Sequence, residues 1–362
     1  MEKKKIKDYE NASVEVQGLA SISKDVKESV VGITRDEVRF LVDSYYQRQE
    51  VRKATDNQVR SLIQGYDSDG SDETEVKVPS ALEWLAANQR NEEAQIKKML
   101  ETYAESDPVG RWLMAIIGIG PVISAGLIAY FDIDKCTHFN QFHSYAGLND
   151  NNNPWLGTEK AKKEVSEWLK EHPDENPKNL SDAIVIDICA KYHRTYESSI
   201  KQAYDQKKLD KGKKVITKAS VEAWLAKPPY NTKLKTLCWK IGESFMKMSN
   251  KEGSLYGKLY KQRLVYEKGK NERGEYAKEA AKKLATCNIK DKKTRKIYES
   301  GKLPDGHILA RAKRATVKIF IAHLFEAMYW NKYHETPPTA YAIQYLGHTD
   351  YIAPEVDYRD YC

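Results

Sequence analysis

Gly118-Ile119-Gly120-Pro121 lies between two stretches that read as helix, and its reading decides the fold. Upstream, Ser106-Asp107-Pro108 offers a capping side chain and then a proline for the first helical turn, ahead of the apolar positions Leu113, Ile116 and Ile117. The spacing predicts a helix that ends at Gly118. Downstream, Pro121 suits a helix start, and Val122, Ile123, Ala125, Gly126, Leu127, Ile128 and Ala129 run almost without polar interruption to Tyr130-Phe131. A second helix, buried along most of its surface, is expected there. Its first amides have no partner inside the helix, the glycines admit close approach, and the helix dipole favours negative charge. This is the pattern of a helix-hairpin-helix, which holds backbone phosphate without reading bases. An ordinary tight turn between two core helices gives the same four residues and stands beside that reading.

The chain has 362 residues, of which 41% are hydrophobic, enough for a substantial core in two or three domains or subdomains. No run of about 18 apolar residues is present to span a bilayer, and Met1-Glu2-Lys3-Lys4-Lys5 has no apolar core of a secretory signal. A cytoplasmic protein without membrane contact is expected. Cys136, Cys189, Cys238, Cys287 and Cys362 are scattered with no C-x-x-C pair, so neither a disulfide framework nor a zinc ribbon is indicated. Cys136 with His138 is two ligands short of a metal site. The formal charge of +7 is mild, but acidic residues gather at 67–75 while lysines crowd 201–296. The lysine-rich half is the expected surface for an anionic partner.

Along the chain, residues 1–32 read as a polar segment. Thr34-Arg35-Asp36-Glu37 forms a capping box ahead of a long helical pattern through Val38, Leu41, Val42, Tyr45, Val51, Val59 and Leu62. An acidic linker over 65–79 interrupts it. Its Asp67/Asp69 spacing resembles a calcium loop, but Asp72 and Val78 stand where such a loop needs glycine and glutamate. A second long helix over Ser80–Tyr103 completes an antiparallel pair in 33–105. The hairpin region follows over 106–157, with a short helix in 138–148 stopping at Gly147. Residues 158–228 carry helical patterns near 159–171 and Ser181–Tyr204 and a short one before Pro228-Pro229. In 229–335, Asn231 caps a helix whose apolar face is Leu234, Leu237, Cys238, Ile241, Phe245 and Met248, with Lys233, Lys240 and Lys247 on another face. His307–Tyr333 reads likewise, with Arg311, Arg314 and Lys318 in one stripe. Such stripes meet phosphates, or are plain solvated faces. A tyrosine-rich tail, 336–362, has no functional reading. The fold class expected is mainly α, a helical bundle with a central helix-hairpin-helix.

The order of GIGP, small-residue-rich helix, phenylalanine and Tyr145-Ala146-Gly147-Leu148, followed by an asparagine-led helix and a late basic-apolar helix, resembles the C-terminal domain of insertion-sequence 110 family transposases (also named with 116 and 902). The resemblance covers 106–157 and 229–334, is best defined at 113–148, and leaves 158–228 as an insertion. It implies DNA binding in transposition or recombination of a mobile element or phage. Because such transposases use a guide RNA, it also implies structured RNA as a second class of partner. The residues expected to meet nucleic acid are Gly118, Ile119, Gly120, Pro121, Lys233, Lys240, Lys247, Arg311, Arg314 and Lys318.

Two departures leave enzymatic activity undecided. The family begins with a ribonuclease-H-like domain whose carboxylates hold divalent metal, and nothing here matches it; the residues before the hairpin read as helices, not the alternating strands that fold needs. Magnesium is therefore expected only with a catalytic partner or an unrecognised site, and no other cofactor is evident. The family's serine directly precedes a glycine, but Leu156 precedes Gly157 here, and Thr158 is the nearest hydroxyl to test as a nucleophile. His138, His143, His193, His307, His323, His334 and His348 lie in no metal or triad motif, and His323 reads as a packed core histidine. Tyr256, Tyr260 and Tyr266, among Lys258, Lys261 and Arg263, suit stacking on bases. The readings that follow are a transposase-related DNA-binding protein, a non-catalytic structural or regulatory nucleic-acid binder, and a helical scaffold without nucleic acid. A homo-oligomer is compatible with each.

Overall fold

A computed structural model describes residues 22–68, 80–149, 156–337 and 351–362. These residues form helices and no strand, with isolated bridges only at Asn176–Asn179, Leu180–Ile216 and Tyr204–Ile216. The protein is a mainly α helical bundle. In chain order its helices are α1 (Lys24–Val31), α2 (Arg35–Ser68), α3 (Ser80–Ser106), α4 (Pro108–Ala115), α5 (Pro121–Tyr130), α6 (Phe139–Tyr145), α7 (Gly157–Glu171), α8 (Ala183–Lys191), α9 (Tyr196–Ala203), α10 (Gln206–Leu209), α11 (Lys218–Ala226), α12 (Thr232–Lys247), α13 (Leu255–Glu272), α14 (Ala277–Thr286), α15 (Lys292–Glu299) and α16 (Asp305–Tyr333). Two compact units result. One combines Met1–Phe139 with Trp239–Cys362, and the other is Asn140–Cys238.

In the first unit, the Thr34 box forms as the sequence predicts: Glu37 N–H donates to Thr34 Oγ1 at 3.3 Å, and Thr34 N–H donates to the Glu37 carboxylate at 2.6 Å. The helix it starts pairs antiparallel with α3, since Val38 and Val42 meet Leu100 and Ala104 in one cluster while Arg52 reaches Glu93 and Asp56 reaches Arg90. Boundaries that differ from the sequence reading include those of α1 and α2. α1 lies inside the segment taken as polar, with Val30 buried one turn beyond Val26, a pattern too short to register as periodic. α2 also runs through Gly65 to Ser68, because one interior glycine costs only about 1 kcal/mol against alanine. The rest of the acidic linker, with Asp69, Asp72 and Val78, lies outside the described residues.

α5 packs against α2, α3 and α4, and eight of its residues, Val122 and Ser124–Tyr130, are buried. Its C-terminal carbonyl at Ala129 accepts from Arg39 Nε at 3.0 Å and Nη2 at 2.7 Å, so a cation sits where the helix dipole is negative. Elsewhere in this unit, Phe245, Tyr256 and Phe320 stack around a buried polar pair, Tyr256 Oη and His323 Nδ1 at 2.9 Å. Tyr256 and Tyr260 are therefore core residues rather than a stacking surface; only Tyr266 of the three is exposed.

The second unit has its own core, in which Val165 and Trp168 of α7 meet Ile184 and Ile188 of α8 and Val221 and Leu225 of α11. The helix anticipated over Ser181–Tyr204 is two helices, α8 and α9. His193 breaks it by taking a left-handed φ of 50°, and Thr195 then begins α9.

His323 is a core histidine, and its protonation state follows from its partners. Nε2 lies 2.8 Å from the Ile352 carbonyl, which can only accept, so Nε2 carries the proton and Nδ1 accepts from Tyr256. Burial depresses the imidazole from 6.5 to about 4. A base with a depressed native pKa contributes stability above its unfolded value and loses it as pH falls, here between 6.5 and about 4. Burial pushes the Glu326 carboxyl the opposite way, so it does not supply this loss. Urea unfolding at pH 7 and pH 5 is expected to show an acid-side loss to which His323 contributes up to about 2 kcal/mol; burial also depresses His138 and His307, which act with the same sign, so His323→Leu should shrink the loss by that share whatever its absolute stability.

Candidate nucleic-acid interface

The hairpin is built from both sides. Asp107 caps α4 by accepting from Gly110 N–H at 3.1 Å, with Pro108 in its first turn. The helix stops at Ala115, and Ile119 N–H closes the following turn on Ile116 O at 3.0 Å. Pro121 opens α5, and Ser124 N–H is the first amide to bond back, to Gly120 O at 3.0 Å.

The two glycines have different reasons. Gly118 has φ 98°, and a Cβ there would lie 3.0 Å from Ser244 Oγ and 3.1 Å from Met248 Cγ. Ser244 also donates to Gly118 O at 2.5 Å. Backbone conformation and packing against α12 both require glycine at this position. Gly120 has φ −108° and ψ 176°, which any residue adopts, and a Cβ there would meet nothing within 4 Å. Neither the backbone nor the packing requires glycine at 120. It is the N-cap of α5 without a capping side chain, so the amides of Gly120, Val122 and Ile123 donate to no protein acceptor among the described residues. A helix N-terminus is thus left uncovered at the surface with room for an anion to reach it.

The opposite shoulder is already occupied. Ile117 N–H donates to Glu355 Oε1 at 2.7 Å, and Leu255 N–H, at the start of α13, donates to Oε2 at 2.7 Å. Trp112 Nε1 donates to Val356 O at 2.8 Å, and the Trp112 and Tyr358 rings meet edge to face at 6.3 Å. Residues 355–358 are therefore part of the hairpin's support, which nothing in their sequence signalled. The carboxylate leaves the Gly120 shoulder as the one without a protein acceptor among the described residues.

The cations named from sequence separate. Lys247, in the last turn of α12, is exposed and follows Ser244 by three residues, next to the hairpin. Lys251 is also exposed, in the turn whose Gly253 lies against Ile117, and was not singled out from sequence. Neither lysine forms an ion pair among the described residues. Lys240 instead sits 3.9 Å from the centre of the Tyr46 ring, and burial followed by repulsion from Lys53 lowers its pKa. Arg311 bonds Glu267 at 2.8 Å and Glu279 at 2.8 Å; Glu267 is only 1% exposed and also takes Arg263 and Tyr276. That guanidinium compensates a buried carboxylate. Arg314 is exposed and Lys318 half-buried on α16, while Lys233 is exposed on α12 in the second unit.

Comparison of the chain with protein families, with curated proteins and with solved structures gave no match. The hairpin's role therefore rests on its own geometry. Thr158 is exposed in the first turn of α7, and its hydroxyl hydrogen-bonds to no side chain among the described residues. No group of three or more His, Cys, Asp or Glu among the described residues is placed to hold a metal. No described helix is long and apolar enough to cross a membrane.

The contrast between the glycines gives a stability test. Gly118→Ser is expected to cost about 1–3 kcal/mol through strain and crowding, whereas Gly120→Ser is expected to stay within about 0.5 kcal/mol of wild type because serine is a good N-cap. Chemical denaturation of both variants measures the split; equal losses would show that the two glycines do the same job.

Proposed function

We propose that this chain binds nucleic-acid backbone through the Gly118–Pro121 hairpin, with Lys247 and Lys251 as flanking phosphate contacts. The observation that carries the reading is Gly120: a glycine the fold does not need, at a helix N-terminus whose amides are uncovered. Close approach of a phosphate accounts for both features, because any side chain at 120 would stand between ligand and amides. The sequence resemblance to insertion-sequence 110 family transposases supports mobile-element DNA as the target and recombination or transposition as the setting. The reading is one of binding, which is what uncovered amides and flanking cations supply.

Binding to labelled duplex DNA, followed by anisotropy across a salt series, tests it. Affinity should fall steeply with salt and depend little on sequence. Gly120→Asp is the decisive variant, because aspartate caps α5 well while placing a carboxylate where the phosphate would lie. It should keep or raise Tm and weaken binding by about tenfold or more, with Gly120→Asn, a neutral cap of the same shape, losing less. Lys247→Glu and Lys251→Glu should each weaken binding across all sequences and flatten the salt slope by about one. Wild-type affinity in Gly120→Asp would remove the hairpin from the interface. Preference for structured RNA over duplex would move the target class, and no salt-sensitive association with either would leave the helical scaffold.

A further inference from the structure

The second unit contains a cleft of about 560 Å³ formed by the His193–Gln202 and Trp224–Asn231 segments, with Tyr145 contributing from α6. Among the described residues that line it there is no Asp or Glu, whereas Arg194 and Lys227 are both present. A cleft lined by cations and hydroxyls without a carboxylate selects an anion.

Local backbone geometry builds it. α8 ends in a Schellman closure, with Arg194 N–H donating to Cys189 O at 2.9 Å across the left-handed His193. That turn brings Arg194 and the first turn of α9, with Thr195, Ser198 and Ser199, onto one cavity. The Arg194 guanidinium lies 5.3 Å from the centre of the Trp224 ring, and burial lowers its pKa, so it meets the cleft partly stripped of water. Ser198 Oγ donates to Thr195 O at 3.1 Å, which keeps the hydroxyl against the first turn of α9.

The opposite wall is aromatic and fixed. Asn231 Nδ2 donates to Tyr145 Oη at 3.0 Å, while its Oδ1 caps α12 by accepting from Leu234 N–H at 3.0 Å. Tyr145 is thereby tied to a helix N-terminus yet is 38% exposed. Tyr230, also on the wall, has Lys235 Nζ 4.0 Å from its ring centre. A flat ring beside desolvated and exposed cations matches a planar base joined to a phosphate better than it matches a bare anion. The volume is that of a small-ligand site and does not admit a duplex.

We propose that this cleft binds a nucleotide phosphate, with Arg194 and Lys227 holding the phosphate and the partly exposed Tyr145 ring meeting the base. The nucleotide's source is either a free mononucleotide or one unit of a single strand. The inference goes beyond the hairpin reading and uses none of its residues.

Calorimetric titration of the full chain at low salt tests it with adenosine monophosphate, inorganic phosphate, a five-residue oligodeoxyadenylate and oligoglutamate as probes. Adenosine monophosphate should bind more tightly than inorganic phosphate or oligoglutamate. An oligonucleotide that binds more tightly than the mononucleotide identifies the strand as the source, and equal affinity identifies the free nucleotide. Arg194→Leu and the exposed-site variant Lys227→Glu should each weaken nucleotide binding by about tenfold or more, and Tyr145→Ala should bring adenosine monophosphate down to the level of phosphate. No nucleotide binding by the wild type, equal binding of oligoglutamate, or unchanged affinity in well-folded Lys227→Glu together with Arg194→Leu would overturn the proposal. Duplex binding read on the same preparation separates the two readings: its loss alone sinks the hairpin, and loss of nucleotide binding alone sinks the cleft.

Discussion

The enclosure of α5 is the constraint on which the first unit depends. A ten-residue helix that is apolar on every side cannot lie on a surface, so α2, α3 and α4 must surround it. Its two ends still have to be resolved, because the backbone groups there bond to nothing in the helix. The C-terminal end is closed from within, by the Arg39 guanidinium on Ala129 O. The N-terminal end is reached through a tight hairpin whose left-handed residue, Gly118, is locked against α12. The hairpin is thus a consequence of burying α5, and a purely structural turn could have ended there with a serine or aspartate at position 120.

Two cations on the basic stripes are committed to partners within the protein, which changes what a basic stripe means. Lys240 and Arg311 both fall on helical stripes that look like phosphate contacts. One lies on Tyr46 and the other neutralises Glu267, a carboxylate buried among Arg263, Tyr276 and Arg311. Removing water from a carboxylate costs several kcal/mol unless cations and donors replace it, so the fold recruits nearby arginines. The cations left facing solvent beside the hairpin, Lys247 and Lys251, come from the end of α12 and the turn after it, not from one continuous stripe.

Features fixed by local chemistry were legible in the sequence. The Thr34 box, the Asp107-Pro108 start, the Asn231 cap and the apolar run of α5 each act over a few residues and appear where their side chains predict. Long-range features were not legible. Nothing in Glu355 announces that it will bridge Ile117 and Leu255, 238 and 100 residues away, and nothing in Tyr256 distinguishes a core ring from a stacking platform. The break at His193 was hidden for a related reason: the residue is not glycine, and helical periodicity continues through it on both sides. The split of roles between Gly118 and Gly120 was equally invisible, because it depends on Ser244 and Met248 lying beside one and on empty space beside the other.

Glu355 sharpens what the hairpin can do. A hairpin turn exposes amides on two shoulders, and a nucleic-acid backbone gripped on both would contact successive phosphates. Here a carboxylate of the same chain already satisfies the Ile117 shoulder and, through its other oxygen, the start of α13. What remains without a capping partner among the described residues is the turn at Gly120, where a Cβ would meet nothing within 4 Å. One phosphate contact releases about one counterion, which gives a weak and sequence-blind hold. On the proposed reading, useful affinity would have to be shared with cations placed independently of the turn, and Lys247 and Lys251 stand where α12 and its following turn meet the hairpin. In the proposed binding mode the glycine would set position and the lysines strength, which is how a backbone contact without base readout fixes where a protein sits on a strand.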